Sequence, residues 1–89
     1  MATHQDAVKR HRQSLRRRAR NRHYRSMMRN QVKRVRDAVD AGDQSQAQTE
    51  FRKAQSIVHR VARKGIIHRN QAARRISRMN ALIKKTFAS

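Results

Sequence analysis

The sequence predicts an all-α fold, a three-helix bundle with an extended basic N-terminal helix, and three observations lead there. The 89 residues contain no proline and only two glycines, Gly42 and Gly65. Apolar residues recur at steps of three and four in each segment that those glycines delimit, as in helices that share a core. Residues 9–36 hold thirteen Lys or Arg and no acid, Gly or Pro. Nothing there interrupts a helix, yet the early part offers no apolar face to bury.

The first helix is expected from about Gln5 to Ala41, closed by Gly42, which takes a left-handed conformation without a Cβ clash. Its stripe is Tyr24, Met28, Val32, Val35 and Val39. Extended backwards, the same stripe meets Asn21, Arg17, Ser14 and Arg10, so the core face ends near Tyr24 although the helix does not. At about 1.5 Å per residue this helix measures roughly 55 Å, against about 30 Å for each of the others. Its first half therefore projects. With no core beneath it and arginines repelling one another at three- and four-residue spacing, that half is expected to fray when free and to become helical on binding.

The second helix is expected over roughly Gln44 to Lys64. Asp43 is placed to cap it, and Gln46 three residues on gives the spacing of a capping box. Ala47, Phe51, Ala54, Val58 and Val61 form its stripe. Gly65 stops it, and the apolar link Ile66-Ile67 leads to a third helix from about His68 to Phe87. Ala72, Ala73, Ile76, Met79, Leu82, Ile83 and Phe87 complete the core. The chain is read as one domain over 1–89, with residues 1–23 projecting and residues 24–89 forming the bundle. A core this small gives a marginally stable bundle.

Charge indicates the partner. A formal net charge of +19 destabilises a free fold by self-repulsion, and its counter-charge has to come from a polyanion. On a helical wheel the cations of residues 9–36 point in almost every direction, so a partner that surrounds the helix is implied. An ordinary solvated helix face does not carry one sign on all sides. Apart from Asp6, the acids (Asp37, Asp40, Asp43, Glu50) cluster about the first turn and the start of the second helix, and this end is expected to face water. No acid follows Glu50, whereas Arg63, Lys64, Arg69, Arg74, Arg75, Arg78, Lys84 and Lys85 do. The third helix is thus a second contact element. Arginine suits forked contacts to phosphate and stacking on exposed bases.

RNA is favoured over DNA. No basic region followed by a sustained zipper is present, because the stripe starts inside the basic segment and ends at Gly42. A helix charged all round fits a crevice between packed RNA helices better than one duplex groove. Asn21, Ser26 and Asn70 add hydrogen-bonding groups for 2′-hydroxyls or bases. Tyr24 could stack on a base, but its place on the stripe assigns it to packing.

The string Lys64-Gly65-Ile66-Ile67-His68-Arg69-Asn70-Gln71-Ala72-Ala73-Arg74-Arg75 resembles the signature of the bacterial small-subunit ribosomal protein S-twenty family. Ala7-Val8-Lys9-Arg10-His11-Arg12, Arg18-Ala19-Arg20-Asn21-Arg22, Ser26-Met27-Met28-Arg29 and Ala41-Gly42-Asp43 continue the resemblance over nearly the whole chain. It implies a three-helix bundle with an extended first helix, a monomer within the subunit, binding 16S ribosomal RNA directly and early in assembly. It also implies a place at the base of the subunit body, between the 5′ domain and the long penultimate RNA helix, and hence a cytoplasmic ribosome. Residue by residue it marks Lys9, Arg10, Arg12, Arg18, Asn21, Arg22, Ser26 and Arg29, then Lys64, His68, Arg69, Asn70 and Arg74, as RNA contacts. Arg16, Arg17, Arg25, Lys33, Arg75 and Arg78 join them by charge and position. Asp6 stands where the family usually has serine and Asn30 where threonine is common; Asp6 is assigned to capping the first helix, and Gly65 to structure.

Other classes find little support. With no cysteine and five acids, none evidently paired with a histidine, the chain lacks the groups of an enzyme, a disulfide framework or a thiolate metal site. The five histidines show no four-residue pair of the helical zinc type, and Asp37, Asp40 and Asp43 lack a calcium-loop pattern. No cofactor, metal or small-molecule substrate is expected. His68 has two readings, a phosphate donor and a plain helix start. Residues 5–23 offer only Val8, Leu15 and alanines to a membrane. The start has no apolar run of signal-peptide type, and the chain is read as intracellular and soluble. A nucleoid-type DNA-binding protein remains the rival.

Overall fold

The computed structural model describes residues 4–88 as three α-helices, α1 (His4–Asp40), α2 (Gln44–Arg63) and α3 (Arg69–Phe87). The stops lie where the glycines put them. At the end of α1 the Gly42 amide donates to the Val39 carbonyl and the Asp43 amide to the Ala38 carbonyl, at 3.0 and 3.1 Å. At the end of α2 the Gly65 amide donates to Ala62 and the Ile66 amide to Val61, at 2.9 and 3.2 Å. Both are Schellman closures, with Gly42 at φ +73° and Gly65 at φ +77°. An added Cβ would meet nothing within 4 Å at either position, so glycine is required by backbone conformation and not by space.

Asp43 ends one closure and caps the next helix, its Oδ1 accepting from the Gln46 amide at 3.0 Å. Only half of the expected capping box forms. The Asp43 amide is already spent on Ala38, so the Gln46 side chain turns forward and donates to Glu50 Oε1 at 2.9 Å. His68 caps α3, its Nδ1 accepting from the Asn70 amide at 3.1 Å.

The helices run up, down and up. Arg25 near the middle of α1 reaches Ile66 in the second link, whereas Gln31 further along reaches Glu50 on α2, an antiparallel pairing. Met28, Val32, Val35, Ala38 and Val39 from α1 meet Ala47, Ala54, Val58 and Val61 from α2 and Ala72, Met79 and Ile83 from α3, with Ile66 and Ile67 closing one end. Tyr24, Phe51, Ile76, Leu82 and Phe87 pack half-buried around them.

Two expectations need correction. Ala73 is exposed, because the buried line of α3 runs through Ala72, Met79 and Ile83 and the next residue after Ala72 turns about 100° away. Glu50 does not face water. It is 7% exposed, and Gln31 Nε2 donates both to its Oε2 and, at 3.0 Å, to its carbonyl, while Lys53 Nζ stands 3.9 Å from Oε1. The other three clustered acids, Asp37, Asp40 and Asp43, are exposed at the first turn.

Beyond Tyr24 towards the N-terminus α1 leaves the bundle. Residues 4–20 are exposed apart from half-buried Ser14, and the molecule is 66 Å in its longest dimension but only 21 and 14 Å across. The structure holds this half as helix, the form that charge repulsion was expected to reserve for the bound state. Asp6 lies within its first turn, where a carboxylate interacts favourably with the helix dipole. Among the described residues no helix is long and apolar enough to cross a membrane.

Candidate nucleic-acid interface

The sequence-expected contact residues fall into three groups in space. Lys9, Arg10, Arg12, Arg16, Arg17, Arg18 and Arg22 are exposed along the projecting half of α1, and Asn21 beside them is half-buried, with Oδ1 accepting from Arg20 Nη2 at 3.4 Å. Since the helix advances about 100° per residue, these cations encircle it. Among the described residues the only large apolar side chains exposed there are Val8 and Leu15, at 40% and 50%. They lie seven residues apart, on one line of the helix, too few to form a face.

A second group gathers where the link between α2 and α3 meets α1. Arg25 Nη2 donates to the Ile66 carbonyl at 3.2 Å, and Lys64 Nζ sits 5.0 Å from the centre of the Tyr24 ring. Tyr24 also takes the edge of His23, their ring centres 5.4 Å apart. Tyr24 is therefore a packing residue with one face covered by a cation, and Arg25 and Lys64 have structural duties alongside any phosphate they meet. Each keeps further donors, since guanidinium carries five and ammonium three. The two readings of His68 prove compatible. Accepting at Nδ1 fixes the neutral ring's proton on Nε2, which leaves a donor on an exposed residue. Arg69 and Asn70 are exposed beside it.

The third group lies between α1 and α3. Val32 and Arg36 of α1 face Gln71, Arg74, Arg75, Arg78, Met79 and Leu82 of α3 across a cleft of about 430 Å³. On α3 these positions recur at three and four residues, one face of the helix. Arg36 and Gln71 were not among the expected contacts. The signal for Arg36 was present, because it stands four residues after Val32 and so shares the core-side edge of α1. Gln71, uncharged, gave none. Ser26, Arg29 and Lys33 are exposed on α1 between the second and third groups. No acid lines the cleft, and apart from Asp6 the exposed acids, Asp37, Asp40 and Asp43, sit at the opposite end of the molecule from the projecting helix.

Such a surface offers phosphate donors along a rod, a hydrogen-bonding knot at its base and a cationic cleft beside it. Among the described residues no three His, Asp or Glu side chains come together as a metal site would require.

Comparison with known proteins agrees with this design. The family model described as Ribosomal protein S20 matches residues 2–84. A small ribosomal subunit protein bS20 of Maridesulfovibrio salexigens is 49% identical over 85 residues, covering 96% of this chain and 98% of the relative. That of Bordetella petrii is 50% identical over 84 residues, 94% of this chain and 97% of its own. That of Helicobacter pylori is 42% identical over 85 residues, with 96% of each chain covered. A family match over almost the whole length, on a fold whose outer surface is built of phosphate donors, makes this chain a member of the ribosomal protein S20 family, a structural and non-enzymatic family of the small ribosomal subunit.

Proposed function

We propose that this chain binds 16S ribosomal RNA directly in the small subunit and stabilises the packing of RNA helices during assembly, on cytoplasmic ribosomes. The observation that carries the proposal is the projecting half of α1, cationic around its whole circumference and packed on no protein. Only a partner that surrounds it supplies the counter-charge, and folded RNA does so by bringing several phosphate backbones together. The chain acts as one RNA-binding domain and as a monomer in the subunit, with residues 1–23 inserting between RNA segments and residues 24–89 bracing them. Lys9, Arg10, Arg12, Arg16, Arg17, Arg18, Asn21 and Arg22 are the inserted contacts. Arg25, Ser26, Arg29 and Lys33 continue them, and Lys64, His68, Arg69, Asn70, Arg74, Arg75 and Arg78 form the second surface. The names of the relatives support the location, since each is a small ribosomal subunit protein.

The test is binding to refolded 16S ribosomal RNA at about 150 mM salt, near the physiological value, against excess unrelated duplex DNA and transfer RNA. A surviving one-to-one complex is expected, with affinity that falls steeply with salt, by about 0.7 to 0.9 logarithmic units per unit of log salt for each phosphate neutralised. Circular dichroism of the same titration is expected to gain helix as the projecting half is stabilised. Complete loss to duplex DNA would replace this reading with a nucleoid-type DNA-binding protein, and a nearly salt-independent affinity would remove the phosphate mechanism.

A further inference from the structure

We infer that the cleft between α1 and α3 holds one unpaired nucleotide of the RNA, its base against Val32, Met79 and Leu82 and its flanking phosphates on Arg36, Arg74, Arg75 and Arg78. The inference rests on the RNA-binding reading above and goes further by naming what one part of the surface takes. The cleft differs in kind from the rest of the cationic surface. Along the projecting half of α1 the phosphate donors stand on a polar rod, and phosphate contact needs nothing more. In the cleft the same donors surround an apolar floor, in which Val32 and Met79 are 9% and 4% exposed and Leu82 is half-buried. Its volume of about 430 Å³ lies in the roughly 300–1,000 Å³ range of sites that take small molecules.

An apolar floor with an arginine rim matches a nucleotide drawn out of its stack. Such a base presents a flat π-face, which packs on a thioether or aliphatic surface and beneath a guanidinium plane. A base within a paired RNA helix presents no face, and the floor would then stay wet. None of the four arginines makes a hydrogen bond or ion pair within the described residues, so their donors remain for phosphate. Gln71 at the rim likewise spends no side-chain group on the protein, and an amide donates and accepts at once, as the edge of a base requires. An acidic protein segment would satisfy the rim but not the floor, and an apolar one the floor but not the rim.

Short-wavelength ultraviolet crosslinking of the full chain in its complex with refolded 16S ribosomal RNA tests this directly. After nuclease and tryptic digestion, a nucleotide adduct is expected on the peptide Met79–Lys84. Adducts on α1 without one there would overturn the cleft assignment while leaving RNA binding intact. Failure to form any complex against competitors would overturn both. Leu82→Gln supplies the second measurement, because it removes apolar floor and leaves charge unchanged. Binding about tenfold weaker at an unchanged salt slope is expected, the scale of one stacked base, with the helical circular dichroism retained. Affinity within twofold of the parent would mean that the cleft meets phosphate alone, and would sink the proposal.

Discussion

The two halves of α1 are one continuous helix with cations throughout, yet they face opposite solvents. From Met28 to Val39 the helix buries Met28, Gln31, Val32, Val35, Ala38 and Val39 against its neighbours, whereas from His4 to Arg20 it buries nothing. Charge density does not separate them, since Arg25, Arg29, Lys33, Arg34 and Arg36 stand in the folded half. What separates them is whether every third or fourth residue is apolar. Where it is, the cations are pushed to the outside of a protein core. Where it is not, the cations encircle the helix and no protein packs beneath them.

The largest expected effect divides the cationic surface of both halves from the core of the folded one. Replacing Arg18, Arg22 and Arg29 together with alanine should weaken 16S ribosomal RNA binding by on the order of 100-fold and lower the salt slope by roughly two to three. The thermal midpoint of the bundle should stay where it was, and loss of the fold would break the division of labour. A matched pair sharpens the contrast in stability. Val35→Ala, at a fully buried position, should cost about 2 to 3 kcal/mol in urea unfolding, transfer and cavity together. Val8→Ala, on the exposed half, should stay within about 0.5 kcal/mol.

Glu50→Ala is next, at about 1 to 3 kcal/mol, because it removes the charged acceptor of the buried Gln31 amide and leaves that amide only the backbone carbonyl at position 50. A neutral result would mean that Gln31 finds water, and that the folded half tolerates polar groups much as the exposed half does. Gly65→Ala should cost about 1 to 2 kcal/mol through the left-handed backbone alone, since no neighbour resists the added methyl. A larger loss would reveal that the link carries packing as well as direction, as the Arg25 bond to Ile66 allows.

The helices and their ends were legible because the chain has so little punctuation. With no proline, two glycines and Asp43 behind the first of them, the expected bounds lie within one residue of the observed ones. The polar interior was not legible from charge. Glu50 was grouped with the exposed acids, although it stands between Ala47 and Ala54 on the buried line of α2, and Gln31 stands beside Met28 and Val32 on that of α1. Two polar residues on two facing stripes were the available signal, and reading either helix alone concealed it. The same limit applies to the cleft. Arg74, Arg75 and Arg78 were expected as contacts from their own helix, but their association with Arg36 depends on how α3 lies against α1, a tertiary fact that spacing along one segment does not hold.

The unbroken course of α1 gives the molecule a gauge. Arg12 on the projecting half and Arg36 at the cleft are set on a single rod, 24 positions and therefore about 36 Å apart, with no glycine or proline between them to absorb an error. On the proposed RNA contacts, two RNA segments that touch both ends would have to stand at that separation. A misfolded RNA with the segments nearer or farther can satisfy one end only, and forfeits the other set of contacts. Once the projecting half is stabilised on the RNA as proposed, rigidity of this kind would convert a plain affinity for phosphate into a tolerance on distance, and a chain with little means of reading sequence would then discriminate a correctly assembled RNA from a merely compact one.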